Sequence, residues 1–141
     1  IEMKKLKLLA KNNSLIEFKG RFQQKEISHV YSNIDIVINP RISSFLTNSV
    51  TPLKPLEAMA YKKLVLASDV GGMKELIEDH QTGFLFKSDS VEEIEKIIVR
   101  VLERKGFNNI IEKNYKDILK NKNWDKNTEI YHKIYNDLIN G

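Results

Sequence analysis

From Ile34 to Phe86 the chain alternates short apolar runs with amphipathic stretches, and that rhythm predicts its elements. Ile34-Asp35-Ile36-Val37-Ile38 is β-branched and nearly continuous, the pattern of a strand covered on both faces; Asn39-Pro40 ends it. Leu64-Val65-Leu66-Ala67 reads as a second buried strand, and Gly83-Phe84-Leu85-Phe86 as a small strand or extended edge. Earlier, Leu15-Ile16-Glu17-Phe18 reads as a further short strand with Gly20 at its exit. Between these runs the period changes. Lys25 to Asn33 places Ile27, Val30 and Tyr31 on one side of a helix, and Pro55 to Tyr61 predicts a short helix burying Leu56, Ala58, Met59 and Ala60. Gly71-Gly72 turns the chain before a helix opening at Met73 to Ile77, whereas Arg41 to Val50 reads as a polar loop anchored by Phe45 and Leu46.

The two ends are helical. Met3 to Ala10 carries apolar residues on one face until Asn12-Asn13-Ser14 stops it, because short polar side chains compete for backbone hydrogen bonds. Ser90-Val91-Glu92-Glu93 has the form of a capping box. It opens a helix with Val91, Ile94, Ile97, Ile98, Val101 and Leu102 at spacings of three and four, which Gly106 ends. Ile110 to Leu119 and Trp124 to Ile139 follow, the last with Trp124, Tyr131, Ile134, Tyr135 and Leu138 along one face. Strands alternating with helices predict an α/β fold, a Rossmann-like parallel sheet with right-handed crossovers, ending in three consecutive helices. Three convincing buried strands are few for a free-standing domain of this kind. The expectation is a sheet incomplete on its N-terminal side, in an excerpt that begins at Ile1 within helix-like sequence.

Composition narrows the classes. At 141 residues, 41% hydrophobic and 30% charged, the chain is one ordinary globular domain in length and make-up. It has no cysteine, which removes disulfides and thiolate metal sites and fits a cytoplasmic location. No apolar run approaches the roughly 20 residues of a membrane span. The net charge of +4 comes from Lys4, Lys5, Lys7 and Lys11 and from the lysine-rich tail. It reads as a solvated face, or as attraction to a phosphorylated ligand or to an anionic membrane surface such as the inner face of a cell membrane. Nucleic acid is not expected, since no aromatic–basic interleaving accompanies the charge.

Candidate chemistry gathers between Asn39 and Glu75. Pro52 and Pro55 leave the amides of Leu53, Lys54, Leu56 and Glu57 at a helix mouth, where the dipole and the Lys54 charge favour an anion; a proline-capped helix with an exposed lysine is the plainer reading. Glu57, one turn into that helix, needs a donor: a ribose diol, or a salt bridge to Lys54, Lys62 or Arg41. Arg41 follows a strand end and could meet a diphosphate, while Gly71, Gly72 and Glu75 form a turn and helix start at the same sheet edge. The three histidines show no ligand spacing, and the aspartates form no D-x-D pair, so no metal or other cofactor is expected.

Several stretches together resemble group 1 glycosyltransferases, family-4-like retaining enzymes of the GT-B fold that use nucleotide sugars. They are Pro-Leu-Lys-Pro-Leu-Glu-Ala-Met-Ala at 52–60, Leu-Val-Leu-Ala-Ser-Asp-Val-Gly-Gly at 64–72, Glu75-Leu76-Ile77 and Thr82-Gly83-Phe84-Leu85-Phe86. Phe18-x-Gly20 and Ile34 to Pro40 fall where that family has them. The resemblance implies the C-terminal, donor-binding half of such an enzyme, with residues 1–122 as a partial Rossmann-like domain. Residues 123–141 would be a helix crossing to an N-terminal domain, itself the expected partner.

The resemblance makes Glu57 the second glutamate of the family's E-x7-E motif, which holds the donor ribose. It puts Leu53 and Lys54 at the diphosphate and Gly20, Arg21 and Phe22 near the base of a UDP-, GDP- or similar sugar. Ser49 stands where the first glutamate belongs, and no acidic residue lies between Asp35 and Glu57. Together with Gly71, Gly72 and Glu75, Ser49 is an expected donor-sugar or loop contact. The implied activity is hexosyl transfer to an acceptor in glycan, lipopolysaccharide or capsule synthesis by the full-length enzyme. The fragment alone is expected to be inactive, and none of its residues is assigned as catalytic. A sugar-nucleotide epimerase of the same fold and a non-catalytic homologue or binding subunit are the alternatives.

Overall fold

The computed structural model describes residues 2–11, 13–104 and 106–141; the stop expected at Asn12 therefore lies partly outside the described residues. Helix α1 (Glu2–Leu9) is followed by irregular chain, a 3-10 turn at Gln24–Glu26 and α2 (Ile27–Ser32). Strand β1 (Ile36–Asn39) leads through α3 (Phe45–Ser49) and α4 (Lys54–Ala60) to β2 (Leu64–Ser68). Helix α5 (Gly71–Lys74), β3 (Phe84–Phe86), α6 (Val91–Glu103), α7 (Asn108–Asn121) and α8 (Trp124–Asn140) complete the order. The strands form a parallel sheet in the order β1-β2-β3, with Ile38 opposite Leu66 and Leu66 opposite Phe84. The expected α/β fold with three closing helices is what the chain adopts.

Strand alternation divides the core into two layers. Val65 and Ala67 of β2 face one side, where Ala58 and Met59 of α4 and Met73 of α5 close over them. Leu64 and Leu66 face the other, with Phe84 and Phe86 of β3 and Val101 of α6. Helix α7 reaches both layers, placing Ile110 and Ile111 against the second and Ile118 against the first. It is also tied to the end of α4's turn, where Lys62 pairs with Glu112 at 2.7 Å and lies 4.4 Å from the Tyr115 ring centre.

Several expectations need correction. Residues 15–18 are not a strand: Asn13 closes a turn through its side chain onto the Leu15 amide, and Leu15 is 91% exposed. Strand hydrogen bonds come from a neighbouring strand, and among the described residues none lies beside this run. β1 is only partly covered, and Ile38 is exposed. Arg41 to Val50 is not a plain loop, because Ser44 accepts from the Thr47 amide and Thr47 Oγ1 from the Ser44 amide, starting α3. Phe45, 89% exposed, and Leu46 anchor nothing. Ser90 caps α6, but Glu93 pairs with Lys96 instead of closing the box. Along α8 no described residue is buried, so its apolar face is open.

Candidate nucleotide site

Parallel strands send β1, β2 and β3 to a common carboxyl edge, and α4, running back between β1 and β2, starts there. Both stretches singled out between Asn39 and Glu75 therefore meet at one edge, where open α/β sheets bind ligands. Much of its polarity is used internally. Ser68 Oγ accepts from the Arg41 amide at 2.6 Å, and Asp69 accepts from the Ser88 amide at 2.8 Å. The turn after β2 is braced rather than flexible.

The glycine pair serves close approach. A Cβ on Gly71 would lie 2.3 Å from the Asn48 carbonyl oxygen, and one on Gly72 2.0 Å from that of Val50. The Gly71 amide, at the sheet edge, donates to Asn48 Oδ1 at 2.8 Å. Glu75 accepts a hydrogen bond from the Thr51 hydroxyl. Ser49 ends α3 exposed, and it is the adjacent Asn48 whose side chain reaches Gly71. Gly71 and Gly72 form the first turn of α5 instead of a turn ahead of a helix at Met73. No sequence signal marked Asn48, since an amide in a polar loop has many uses.

At the mouth of α4, Leu53 occupies the cap position without a side-chain cap, Lys54 begins the helix exposed and Pro55 is buried at its second position. The Glu57 amide is not free, because it closes the first turn onto the Leu53 carbonyl at 3.0 Å. The Glu57 side chain is half-buried and, among the described residues, has no hydrogen-bond or ion-pair partner. Lys62, one of its expected partners, is taken by Glu112.

Glu57 lines a cleft of about 460 Å³ with Phe22, Gln24, Ile27 and Tyr61. Tyr61 stacks on Tyr31, with ring centres 4.7 Å apart and planes within 8°. Burial, then the negative charge of Glu57 and the neighbouring Tyr61, hold the Tyr31 phenol above its ordinary range. Gly20, at φ +76°, turns the chain just before Arg21 and Phe22, a conformation that favours glycine. Glu57 and Phe22, widely separated in sequence, thus share one concavity, whereas Gly20 and the exposed Arg21, which precede Phe22, do not line it.

The remaining candidates lie elsewhere. Arg41 lines a separate cleft of about 310 Å³ with Ser68, Phe86, Asp89 and Ser90. Leu53 lines another of about 490 Å³, with Leu56 and Trp124 among its neighbours. At the end of β1, the buried Asn39 Nδ2 has no hydrogen-bond partner among the described residues. No cluster of three or more metal-ligating side chains occurs among the described residues, nor any helix long and apolar enough to cross a membrane.

A parallel three-stranded sheet with helices packed on both faces defines an α/β domain of the Rossmann-like class. The family described as "Glycosyl transferases group 1" matches residues 2–127, and the chain belongs to that family. An uncharacterized glycosyltransferase of Methanocaldococcus jannaschii, MJ1069, is 32% identical over 142 aligned positions, covering 99% of this chain and 35% of that protein. The chain thus spans about a third of the length of the curated relatives it matches.

Among solved structures, sucrose-phosphate synthase from Thermosynechococcus elongatus superposes with a TM-score of 0.77 at 22% identity, over 98% of this chain and 34% of that one. The C-terminal domain of a group 1 glycosyl transferase from Francisella tularensis superposes with a TM-score of 0.69 at 24% identity, over 87% of this chain and 63% of that one. The fold is that of C-terminal GT-B domains.

Proposed function

We propose that the chain is the donor-binding part of a retaining glycosyltransferase, and that the α2–α4 cleft receives the nucleoside of a UDP-, GDP- or similar sugar. The observation carrying this reading is the half-buried Glu57 carboxylate, unpartnered in a cleft whose other wall includes Phe22. A carboxylate held away from bulk water needs hydrogen-bond donors, and a ribose diol offers two hydroxyls. Phe22 offers an aromatic surface to the base, which prefers a π-face to water. Lys54, exposed at the start of α4, supplies positive charge for the diphosphate without a metal. In this reading residues 1–122 form the donor domain and 123–141 the crossing helix. The sugar passes to an acceptor of glycan, lipopolysaccharide or capsule type at the cytoplasmic side of the membrane.

Such a domain contributes by neutralising the leaving nucleoside diphosphate and aligning the donor, effects that lower the barrier by position and field. It does so only with the remainder of the enzyme. Assay of the full natural protein with a panel of nucleotide sugars tests the reading. Glu57→Ala should lower kcat/KM roughly tenfold or more, as expected for losing hydrogen bonds to a charged group. Turnover equal to wild type would sink the assignment, and nucleotide release without an acceptor would indicate an epimerase.

One observation favours a second reading, a homologue that binds the donor without transferring it. Ser49 is neutral where the family motif has its first glutamate, and no acidic residue lies between Asp35 and Glu57 to take its place. Nucleotide binding that survives while every tested donor gives no transfer would select it.

A further inference from the structure

Helix α5 holds the segment before α4 at several points. Gly71 and Gly72 admit the backbone of residues 48–51 so closely that a single added carbon at either would collide with a carbonyl oxygen. Asn48 Oδ1 accepts from the Gly71 amide at 2.8 Å, and the Thr51 hydroxyl donates to Glu75. From there the chain passes through Pro52 and Pro55, both buried, each with its φ set by the ring, to Glu57 in the first turn of α4. Little torsional freedom separates the fastened segment from the carboxylate.

We propose that α5 is a clamp that aims Glu57 into its cleft, and that Glu75 is a positioning residue acting through Thr51. The proposal rests on the nucleotide reading of the Glu57 cleft. It also gives Glu75 a role other than contact with the donor sugar. An enzyme that depends on donor alignment is sensitive to displacements well below the size of a side chain, so a fastening remote from the ligand changes its affinity.

The test uses the full natural protein with Glu75→Ala, Glu75→Gln and wild type, probed with UDP and with GDP. Glutamine keeps an oxygen able to accept from Thr51, and alanine does not. Amide hydrogen exchange across residues 48–57 should accelerate roughly tenfold in Glu75→Ala, while the exposed face of α6, which opens by local fraying, keeps its rates. The same variant should bind the nucleotide roughly threefold to tenfold more weakly, the effect of one lost hydrogen bond. Glu75→Gln should restore both values, and Glu75→Ala should melt only a few degrees below wild type, as a single lost hydrogen bond allows. Unaltered exchange in Glu75→Ala overturns the clamp itself. Faster exchange with unaltered nucleotide affinity overturns its role in aiming Glu57. Failure of wild type to bind either nucleotide overturns the reading of the cleft and this role with it, whatever the exchange shows.

Discussion

β1 and β2 are adjacent, parallel and similar in composition, yet they live in different surroundings. Ile38 and Leu66 are register partners on the same face of the sheet; Leu66 is 1% exposed and Ile38 39%. Helix α6 closes over Leu66 beside Phe84 and Phe86 of the neighbouring β3, and α4 and α5 close the opposite face over Val65 and Ala67. The same cover does not extend to the outer side of β1. A continuous β-branched run therefore states that a strand is apolar on both faces, not that both faces are covered.

The strongest way to break the contrast is at the end of β2. Gly72→Ala puts a methyl group 2.0 Å from the Val50 carbonyl oxygen, with backbone on both sides of the collision. The expected cost is about 3 kcal/mol or more, read as loss of folded protein in urea; a near-neutral result would show that the α3–α5 contact loosens in solution. Leu66→Ala removes a side chain enclosed by both neighbouring strands' layers and should cost about 2–5 kcal/mol. Ile38→Ala, at its register partner, should cost no more than about 1 kcal/mol, because the removed surface is already partly hydrated. Equal losses from the two substitutions would mean that something covers the outer side of β1 in solution.

The smallest effect lies at the Tyr31–Tyr61 stack. Tyr31 holds its proton more tightly when folded than when unfolded, so its contribution to stability is complete below its ordinary titration range near pH 10 and declines as pH rises through the folded value. Glu57→Gln should bring the Tyr31 titration back toward the ordinary range, measurable by ultraviolet absorbance in alkali. No movement would place the Glu57 charge farther from the ring than the fold implies.

The elements with a dense internal pattern were readable from residues alone. β2, β3, α4 and the three closing helices appear where apolar spacing puts them, within a residue or two at their ends. Leu15–Phe18 and α3 were misread for opposite reasons. The first has strand-like side chains but no neighbour to bond with. The second has few buried side chains, and its start depends on Ser44 and Thr47 exchanging hydrogen bonds. At the site, the expectation that set Glu57 beside Phe22 rested on family resemblance, since no local pattern links residues so far apart. The purpose of Gly71 and Gly72 was hidden because close approach involves a partner backbone, at residues 48–51, that leaves no trace in the glycines' own neighbourhood.

Trp124 is the chain's single tryptophan, 83% exposed at the start of α8 and sharing a cleft with Leu53 and Leu56 at the mouth of α4. Its indole is consequently an optical probe already built into the molecule. In water its emission is red-shifted and open to collisional quenchers. Anything that settles over the junction of α4, α7 and α8 registers as a blue shift and loss of quenching, with no label added.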